Sequence, residues 1–398
     1  MTWLSIGHAH GVLFTFNFSF LHSLFLYSFI PLSLYSFIPL FFIPNMHRPA
    51  RFLLFPFAVL FGLGVSARKF FFASKILRAS KFSIPIINVG NLSVGGTGKS
   101  PHVEYLIRLL SPYLQVVCLS RGYGRKTNGF RFVLPTDSPE TVGDEPLQFK
   151  LNFPDVVVAV GEKRALAIPY ILQNEPKTKT LILDDAFQHL SVTPYLNILL
   201  TTFQNPYSSD YLLPVGSLRE TRSAAKRAEI IIVTKSPSEL TELEKTNFEK
   251  KLGVESYQHL FFSSISYGTL YGLNDRTQIL YLNKDIEVVL ISGIANVEPL
   301  EQYLIQNSQK TLSLNFEDHH AFVEEDINQV ISVYKNLKSD KKIIVTTEKD
   351  ATRLRKFSNQ FIENNISIFV QPIQIVFHKN EHPHFDDCIK NYLLDFKN

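Results

Sequence analysis

The chain has 398 residues, of which 45% are hydrophobic and 19% charged, a composition typical of a globular protein with an apolar bias. This length is enough for two domains, each with its own core. The 40 basic and 36 acidic residues leave a net charge of +4, too small to indicate nucleic-acid binding, and we expect none. The two cysteines, Cys118 and Cys388, match no disulfide or metal spacing, so we expect a reducing compartment.

The first 45 residues are rich in phenylalanine and leucine and contain a near-exact tandem repeat, LYSFIPLS followed by LYSFIPLF. Residues 11–44 are almost uncharged and long enough to span a bilayer. They are therefore either a membrane anchor or uncleaved signal, or translated sequence upstream of the true start. Pro31 and Pro39 would interrupt a helix, and Met46 directly precedes a segment that could open a protein. We favour Met46 as the start and treat 1–45 as a doubtful leader.

A second apolar segment, within residues 46–81, is flanked by positive charge. Residues 52–65 are apolar apart from glycines, and a cluster of basic residues follows: Arg68, Lys69, Lys75, Arg78 and Lys81. The apolar part is short for a membrane span. The pattern therefore favours a helix that lies in the interface of an anionic membrane, with a buried N-terminal helix as the alternative.

A glycine-rich loop follows the first predicted strand. Residues 84–89 are apolar and β-branched, and residues 103–110 place apolar side chains on one helix face. The loop between them ends in Gly-Lys-Ser, but Ser93 replaces the first glycine of the phosphate-loop pattern Gly-x-x-x-x-Gly-Lys-Ser/Thr. The flanking strand and helix favour a phosphate site over an ordinary turn, because free N–H groups at a helix start attract anions. The predicted nucleotide-binding residues are Ser93, Val94, Gly95, Gly96, Thr97, Gly98, Lys99 and Ser100.

Apolar runs without polar alternation predict parallel strands that are covered on both faces, at 116–119, 156–160, 181–183, 198–200 and 230–233. They predict an α/β, doubly wound domain of the P-loop NTPase type over 82–265. Residues 266–284 predict a β-hairpin that acts as a hinge. A second, smaller α/β lobe is expected over 285–398, with strands at 288–291, 343–346 and 366–370 and helices near 297–306 and 323–337.

An acidic pair ends one of these strands. In TLILDDAFQHL, Asp184 and Asp185 directly follow an apolar run. Two neighbouring carboxylates are costly to bury without a cation, so a metal ion explains the pair better than a single turn-capping aspartate does.

Other polar motifs are candidates for anion contacts or proton transfer. Basic residues occur in the motifs SRGYGRK, GEKRALA and LLPVGSLRE, and include Arg121, Arg125, Lys163, Arg164 and Arg219. The first of these motifs is almost as consistent with a solvated loop. In VGDEPLQF, either Asp144 or Glu145 could be a base or cap a helix. In FEDHHAF, a carboxylate lies beside His319, which suits an acid–base pair.

Together these motifs resemble one family, the tetraacyldisaccharide 4′-kinases of lipid A biosynthesis. VGNLSVGGTGKSP, SRGYGRK, VGDEP, LDDAFQH, LLPVGSLRE, FEDHH and TTEKDATRL match the family's motifs in order, over residues 50–357. The family also uses serine or threonine at Ser93 and commonly has glycine at the position of Ala186. Its RxLLxPF-like start is similar to RFLLFPF at 51–57, which supports Met46 as the start.

The resemblance implies an ATP-dependent kinase that phosphorylates the 4′-hydroxyl of a tetraacylated glucosamine disaccharide 1-phosphate, forming lipid IVA. It implies a catalytic set of Asp144, His319, Lys99 and Asp185, with Asp144 as the base and His319 supporting it. It implies Mg²⁺ ligands from Ser100, Asp184, Asp185 and Glu220. The expected substrate-binding residues are Arg121, Arg164, Gln188 and His189.

The implied acceptor is a membrane lipid, so the expected location is the cytoplasmic face of the inner membrane, with peripheral or monotopic attachment and no implied protein partner. Two other classes of function remain open. One is a P-loop ATPase or GTPase that acts as a switch or metal chaperone; VTTEKD weakly resembles a base-reading GTPase motif. The other is a membrane scaffold with a vestigial nucleotide site, which would bind ATP without transferring phosphate.

Overall fold

The computed structural model describes residues 52–378 and 381–396, together with the backbone of two short strands, β1 (Trp3–Ser5) and β2 (Thr15–Asn17). These two strands pair antiparallel. The rest of the doubtful leader 1–45, and Met46 itself, lie outside the described residues.

The larger sheet begins after the apolar N-terminal segment. Its strands are β3 (Ile86–Asn91), β4 (Val116–Ser120), β5 (Arg131–Phe132), β6 (Val157–Val160), β7 (Thr180–Asp184), β8 (Leu196–Thr202), β9 (Ile230–Thr234), β10 (His259–Tyr267) and β17 (Ile373–Phe377). Their order is β17-β10-β9-β8-β3-β7-β4-β6-β5, with antiparallel pairing only at the two edges. All the predicted strands of this domain are present. The order reverses at β3, and ligands of open α/β sheets bind at the carboxyl ends of strands at such a point.

The helices of this part cover both faces of the sheet. They are α2 (Lys99–Leu110), α3 (Pro139–Val142), α4 (Asp144–Asn152), α5 (Arg164–Asn174) and α6 (Glu242–Leu252). Alternate strand residues enter opposite cores: Ile87 packs with Leu106 of α2, whereas Ile86 packs with Ile168 of α5. This two-sided burial explains why the strand sequences are continuously apolar.

A second, smaller α/β sheet follows. Its strands are β11 (Leu270–Gly272), β12 (Ile279–Leu280), β13 (Glu287–Ser292), β14 (Lys310–Asn315), β15 (Lys342–Thr347) and β16 (Ile368–Gln371), in the order β12-β11-β16-β15-β13-β14. Its helices are α7 (Glu298–Asn307), α8 (Glu324–Lys335), α9 (Glu348–Leu354) and α10 (Ser358–Glu363). The predicted hairpin corresponds to β11 and β12, which pair antiparallel at the sheet edge. β14 and α9 were not predicted from the sequence.

The C-terminal end differs from the predicted division, which assigned 285–398 to the second lobe. β17 pairs with β10 in the larger sheet, and α11 (His382–Leu394) places Phe385 and Ile389 in the core of that sheet. A single residue, Pro372, separates β16 in one sheet from β17 in the other. Local sequence does not encode which sheet a strand joins, because that choice depends on a partner more than 100 residues away.

The segment 46–81 contains α1 (Phe55–Ala73), which follows a short 3₁₀ turn at Phe52–Leu54. Residues Phe52–Ala73 are long and apolar enough to cross a membrane by length and composition alone, and only 11% of the most apolar window is buried. Gly62 faces the protein, and a Cβ placed there would lie 2.9 Å from Leu212 Cδ1. The predicted apolar helix is therefore present, docked by one narrow face.

Candidate active site

The glycine-rich loop joins β3 to α2 at the carboxyl edge of the larger sheet. Gly98 caps α2 with φ +84°, a left-handed conformation that favours glycine. The first half of the loop is held by a distant segment: Ser93 forms a bridge with Leu218, and Val94 N–H donates to the Ser217 carbonyl at 2.8 Å. Ser93, the departure from the phosphate-loop pattern, therefore lies in a paired backbone.

Two polar side chains, Thr97 and Lys99, lie where this loop enters α2. The Lys99 Nζ lies 3.8 Å from Asp185 Oδ1. The hydroxyl of Thr97 is buried and has no hydrogen-bond partner among the described residues. A buried hydroxyl without a partner is costly, so this atom is available to a ligand group.

The acidic pair lies beside the loop because two backbones approach closely. A Cβ at Gly90, near the end of β3, would lie 2.7 Å from Phe187 Cβ, so only glycine lets the turn after β7 come this near. Asp184 ends β7 and its Oδ2 accepts a hydrogen bond from Ser120 Oγ at 2.9 Å. Asp185 has φ +46°, a strained conformation for a residue with a side chain.

The pKa values of the two carboxyl groups, Asp184 and Asp185, shift in opposite directions. Burial raises the pKa of Asp184 to about 6, and the charges of Asp185 and Glu145 add to this effect. Burial also opposes ionisation of Asp185, but Lys99 and Arg219 outweigh it and hold the pKa of Asp185 well below its usual range. Arg219 donates to both oxygens of Asp185, at 3.1 and 3.2 Å. Among the described residues Asp185 forms ion pairs and Asp184 forms none.

The donor set suits a magnesium ion that keeps most of its ligands from water or phosphate. No cluster of three His, Cys, Asp or Glu side chains with metal-binding geometry occurs within 52–378 or 381–396. Mg²⁺ usually takes only one or two protein oxygens, and the Asp184 carboxylate and the hydroxyl of Ser100, in the first turn of α2, are oxygens of that kind. Glu220, which was expected to join this set, instead accepts two hydrogen bonds from Arg227, at 2.8 and 2.9 Å.

The four predicted substrate-binding residues lie together. Arg164 is fully buried and donates to the Asp184 carbonyl at 3.3 Å, and Gln188 Nε2 donates to the Asn91 carbonyl at 2.8 Å. Burial lowers the pKa of His189 to about 3, and the charges of three arginines add to this effect: Arg164, Arg121 and Arg68. The guanidinium groups around this neutral imidazole carry net positive charge, so they can bind an anion.

A second group of polar residues meets between the two sheets. Asp144 begins α4, and its Oδ2 lies 2.9 Å from Nδ1 of His319, although 175 residues separate the two. His319 has φ +62°. Arg353 of α9 donates to the same Asp144 oxygen at 2.6 Å. Burial opposes ionisation of Asp144, but the hydrogen bonds from His319 and Arg353 outweigh it and lower its pKa below the usual range.

Residues 50–393 match the family model for tetraacyldisaccharide-1-phosphate 4′-kinase. The chain belongs to this kinase family. It is 42% identical to the tetraacyldisaccharide 4′-kinase of Parabacteroides distasonis over 347 residues, which cover 86% of this chain and 94% of that protein. It is 40% identical to the tetraacyldisaccharide 4′-kinase of Flavobacterium johnsoniae over 346 residues, covering 87% of this chain and 98% of that protein.

A solved relative of this kinase family supports the fold. The crystal structure of LpxK from Aquifex aeolicus in complex with ATP superimposes with a TM-score of 0.65 and 25% sequence identity. The match covers 86% of this chain and 99% of that one. The predicted family and kinase activity are confirmed, as is a mixed α/β fold with two sheets.

Sequence reasoning missed three charged residues of this kinase's site. Arg68 of α1 donates to the Gln188 carbonyl at 3.0 Å, and its only sequence signal was the cationic flank of the helix. Lys349 and Arg353 belong to TTEKDATRL, which helped to reveal the family resemblance but was given no role. Spacing alone would not have placed either residue beside the Asp144–His319 pair, since both come from α9, a helix that was not predicted from the sequence.

Proposed function

We propose that this enzyme transfers the γ-phosphate of ATP to the 4′-hydroxyl of a tetraacylated glucosamine disaccharide 1-phosphate, forming lipid IVA. The observation that carries the mechanism is the Asp144–His319 contact of 2.9 Å, which supplies an acceptor-side base beside a phosphate-binding loop. Glu145, next to Asp144, contributes to the raised pKa of Asp184, so the two groups of residues lie within electrostatic reach of each other.

The nucleotide side of the site consists of the loop from Ser93 to Ser100. Its N–H groups and the start of α2 attract the phosphates, and Lys99 supplies the positive charge that the β- and γ-phosphates need. Lys99 is held near the site by Asp185, which Arg219 also contacts. In this arrangement Asp185 positions two cations.

Ser100 and Asp184 are the residues that fit Mg²⁺. Magnesium, when bound, neutralises the charge that develops on the β- and γ-phosphate oxygens. We assign Glu220 a role other than the metal ligation that the family resemblance implied, because its carboxylate forms an ion pair with Arg227. The Glu220–Arg227 ion pair stabilises the segment around Ser217 and Leu218, which pairs with the backbone at Ser93 and Val94.

On the acceptor side, Asp144 takes the proton of the sugar hydroxyl. Its lowered pKa keeps it ionised at neutral pH. Phosphoryl transfer through a loose transition state asks for a well-positioned base more than a strong one. The imidazole of His319 orients the carboxylate by holding one of its oxygens.

The cluster of arginines serves the other end of the substrate. Arg68, Arg121 and Arg164 surround His189, and guanidinium groups bind phosphate oxygens well. We assign this cluster, with Gln188, to the 1-phosphate of the disaccharide.

The membrane side follows from α1. Its exposed apolar face suits the interface of the cytoplasmic leaflet of the inner membrane, where the acyl chains of the substrate remain. Arg68 on the same helix then links the membrane-facing helix to the site that we assign to the 1-phosphate of the lipid. The hairpin β11–β12 and its connections act as the hinge through which the second lobe excludes water from the reaction.

The direct test combines purified protein, the lipid disaccharide 1-phosphate in mixed micelles and γ-labelled ATP. Asp144→Asn is expected to lower lipid labelling by about 10²-fold or more while ATP affinity changes less than about twofold. Lys99→Met is expected to abolish labelling and to weaken ATP binding as well. Asp155→Asn, the same chemical change at an exposed position, is the control and should behave as the unmodified protein.

Two results would contradict this assignment. ATP turnover without labelled lipid, unaffected by Asp144→Asn, would indicate a nucleotide switch. ATP binding without any transfer would indicate a scaffold.

A further inference from the structure

The segment TTEKDATRL ends β15 and forms α9, and two of its cations face the acceptor base. Lys349 and Arg353 are four residues apart, which places them on one face of the helix. α9 packs against α4, the helix that begins with Asp144. Both cations therefore point across the junction between the lobes.

Lys349 holds Nε2 of His319 as an acceptor, while the ionised Asp144 carboxylate accepts from Nδ1. Its Nζ lies 2.9 Å from His319 Nε2, and it also forms ion pairs with Glu145 at 3.0 Å and Asp318 at 3.8 Å. An ammonium group can only donate, so Nε2 must accept. In the neutral ring the proton then lies on Nδ1, where it is donated to Asp144 Oδ2.

Arg353 holds the other partner of this pair. It donates to Asp144 Oδ2 through one guanidinium nitrogen and to Asp350 Oδ1, at 3.1 Å, through another. Asp350 is itself fixed, because its Oδ2 accepts from Gly293 N–H at 3.1 Å and from the Thr347 hydroxyl at 2.7 Å. A fully buried carboxylate with these partners keeps the guanidinium in one orientation.

The two contacts converge on one oxygen of Asp144. His319 and Arg353 both donate to Oδ2, and no described residue donates a hydrogen bond to Oδ1. Oδ1 is therefore left with its lone pairs open. A base needs one free oxygen directed at the hydroxyl, and the other held so that the carboxylate cannot rotate.

We propose that Lys349 and Arg353 are positioning residues that lock the Nδ1–H tautomer of His319 and reserve Asp144 Oδ1 for the acceptor hydroxyl. This inference rests on the proposed role of Asp144 as the base. In the step, the 4′-hydroxyl O–H bond breaks and its proton goes to Oδ1, while the oxygen forms a bond to the γ-phosphorus. The bond from the γ-phosphorus to ADP breaks, and ADP leaves with the electron pair.

The charged groups around His319 come from three directions. Asp144 of α4 and Lys349 of α9 contact it directly, and each is ion-paired to a further charged group, Asp144 to Arg353 and Lys349 to Glu145. Asp318 belongs to its own loop, and the ring of Tyr123 lies 5.4 Å from the imidazole centroid. Of these groups, only Lys349 contacts Nε2 in the described part of the chain.

The test measures the tautomer directly, by long-range ¹H–¹⁵N spectra of full-length protein labelled with ¹⁵N-histidine, with His319→Gln used to assign the signal. We expect the neutral Nδ1–H form in the unmodified protein and its loss to the doubly protonated ring in Lys349→Met, because no donor then faces Nε2. The kcat for lipid phosphorylation should fall at least tenfold, with KM for ATP within twofold. Lys349→Arg should restore the tautomer and most of kcat, because arginine also only donates.

A matched control is Lys335→Met, which removes the same charge from an exposed lysine of the same lobe, whose Nζ donates to Asn364 and to no other described residue. It should leave both the tautomer and kcat unchanged. For the second cation, Arg353→Lys keeps the charge but cannot reach both carboxylates with one nitrogen, and we expect a fall of about tenfold in kcat.

The outcomes separate this inference from the proposed function. If the unmodified protein labels no lipid, the proposed function is wrong. If it labels lipid, but Lys349→Met keeps the Nδ1–H tautomer with kcat within twofold, the inference is wrong and the function stands. An unchanged tautomer in Lys349→Met with a large fall in kcat would also overturn it, since Lys349 would then act by another route.

Discussion

His102 ties the phosphate-binding loop to the core through a single buried imidazole. Its Nδ1 lies 2.7 Å from the Gly98 carbonyl, which can only accept, so this nitrogen carries the proton. Its Nε2 accepts from the Ser263 hydroxyl at 3.1 Å. The neutral ring satisfies both partners, and burial lowers its pKa to about 4, against a smaller opposing effect of the carbonyl.

This residue makes a prediction about pH. Because the folded pKa lies below the unfolded value of 6.5, the unfolded chain binds the proton first, and stability falls as pH drops from 6.5 towards 4. In His102→Gln, the loss of unfolding free energy between pH 7 and pH 5 should be smaller by about 2 kcal/mol. Urea unfolding at both pH values measures it.

The exposed His384 provides the comparison. His384→Gln should leave the pH dependence as it is in the unmodified protein. Equal slopes in His102→Gln and the unmodified protein would show that the buried ring takes up its proton freely in the fold.

Among the elements, α1 has the largest mismatch between composition and burial. It is almost entirely apolar, but it meets the core through Ala58 and Gly62, with Arg68 reaching the arginine cluster. Leu60 and Leu63 are each 62% exposed. Such a face is stable only if something covers it, and a lipid interface fits its cationic flank.

We therefore expect the double change Leu60→Ser and Leu63→Ser to weaken sedimentation with anionic vesicles at least about tenfold, from the lost burial of two leucines. The KM for the lipid should rise more than the KM for ATP. Leu243→Ser on α6, where the leucine is 71% exposed, is the matched control and should bind vesicles normally. Unchanged sedimentation of the double variant would argue for another cover of this face.

On the scale of the whole molecule, a pair of carboxylates joins the lobes. Glu104 of α2 is buried, and Glu348 begins α9 in the second lobe; Asn152 Nδ2 donates to both, at 2.8 and 3.0 Å. Burial raises the pKa of Glu104 to about 8, with the charge of Glu348 adding to it. Burial likewise raises the pKa of Glu348, against hydrogen bonds from Asn152 and its other partners.

The sign of the pH effect here is opposite to that of His102. The folded state holds the Glu104 proton above the unfolded value of 4.5, so its contribution to stability is complete at low pH and is lost as pH rises towards 8. In Glu104→Gln, the fall in unfolding free energy from pH 6 to pH 9 should be smaller by about 3 kcal/mol.

Glu175→Gln makes the same chemical change at a carboxylate that is bonded to Gln115 within one lobe. It should leave the alkaline loss of stability unchanged. If Glu104→Gln and the unmodified protein lose the same unfolding free energy between pH 6 and pH 9, Glu104 is not the group that releases the proton.

Local pattern determined much of this protein from sequence alone. Continuous apolar runs marked the parallel strands, because two-sided burial leaves no polar alternation to read. The loop, the acidic pair and the arginines followed strand ends, and such ends meet at one edge of a parallel sheet. Seven short motifs in a fixed order were enough to identify the family.

Only the tertiary structure decided how distant groups meet. It joined β17 to the larger sheet, committed Glu220 to Arg227, and brought Lys349 and Arg353 to the two sides of the Asp144–His319 pair. The physical reason is that an ion pair or a strand pairing needs two partners, which can lie far apart in the sequence. A residue type states which partners a side chain accepts, but the packing of the lobes selects which partner arrives.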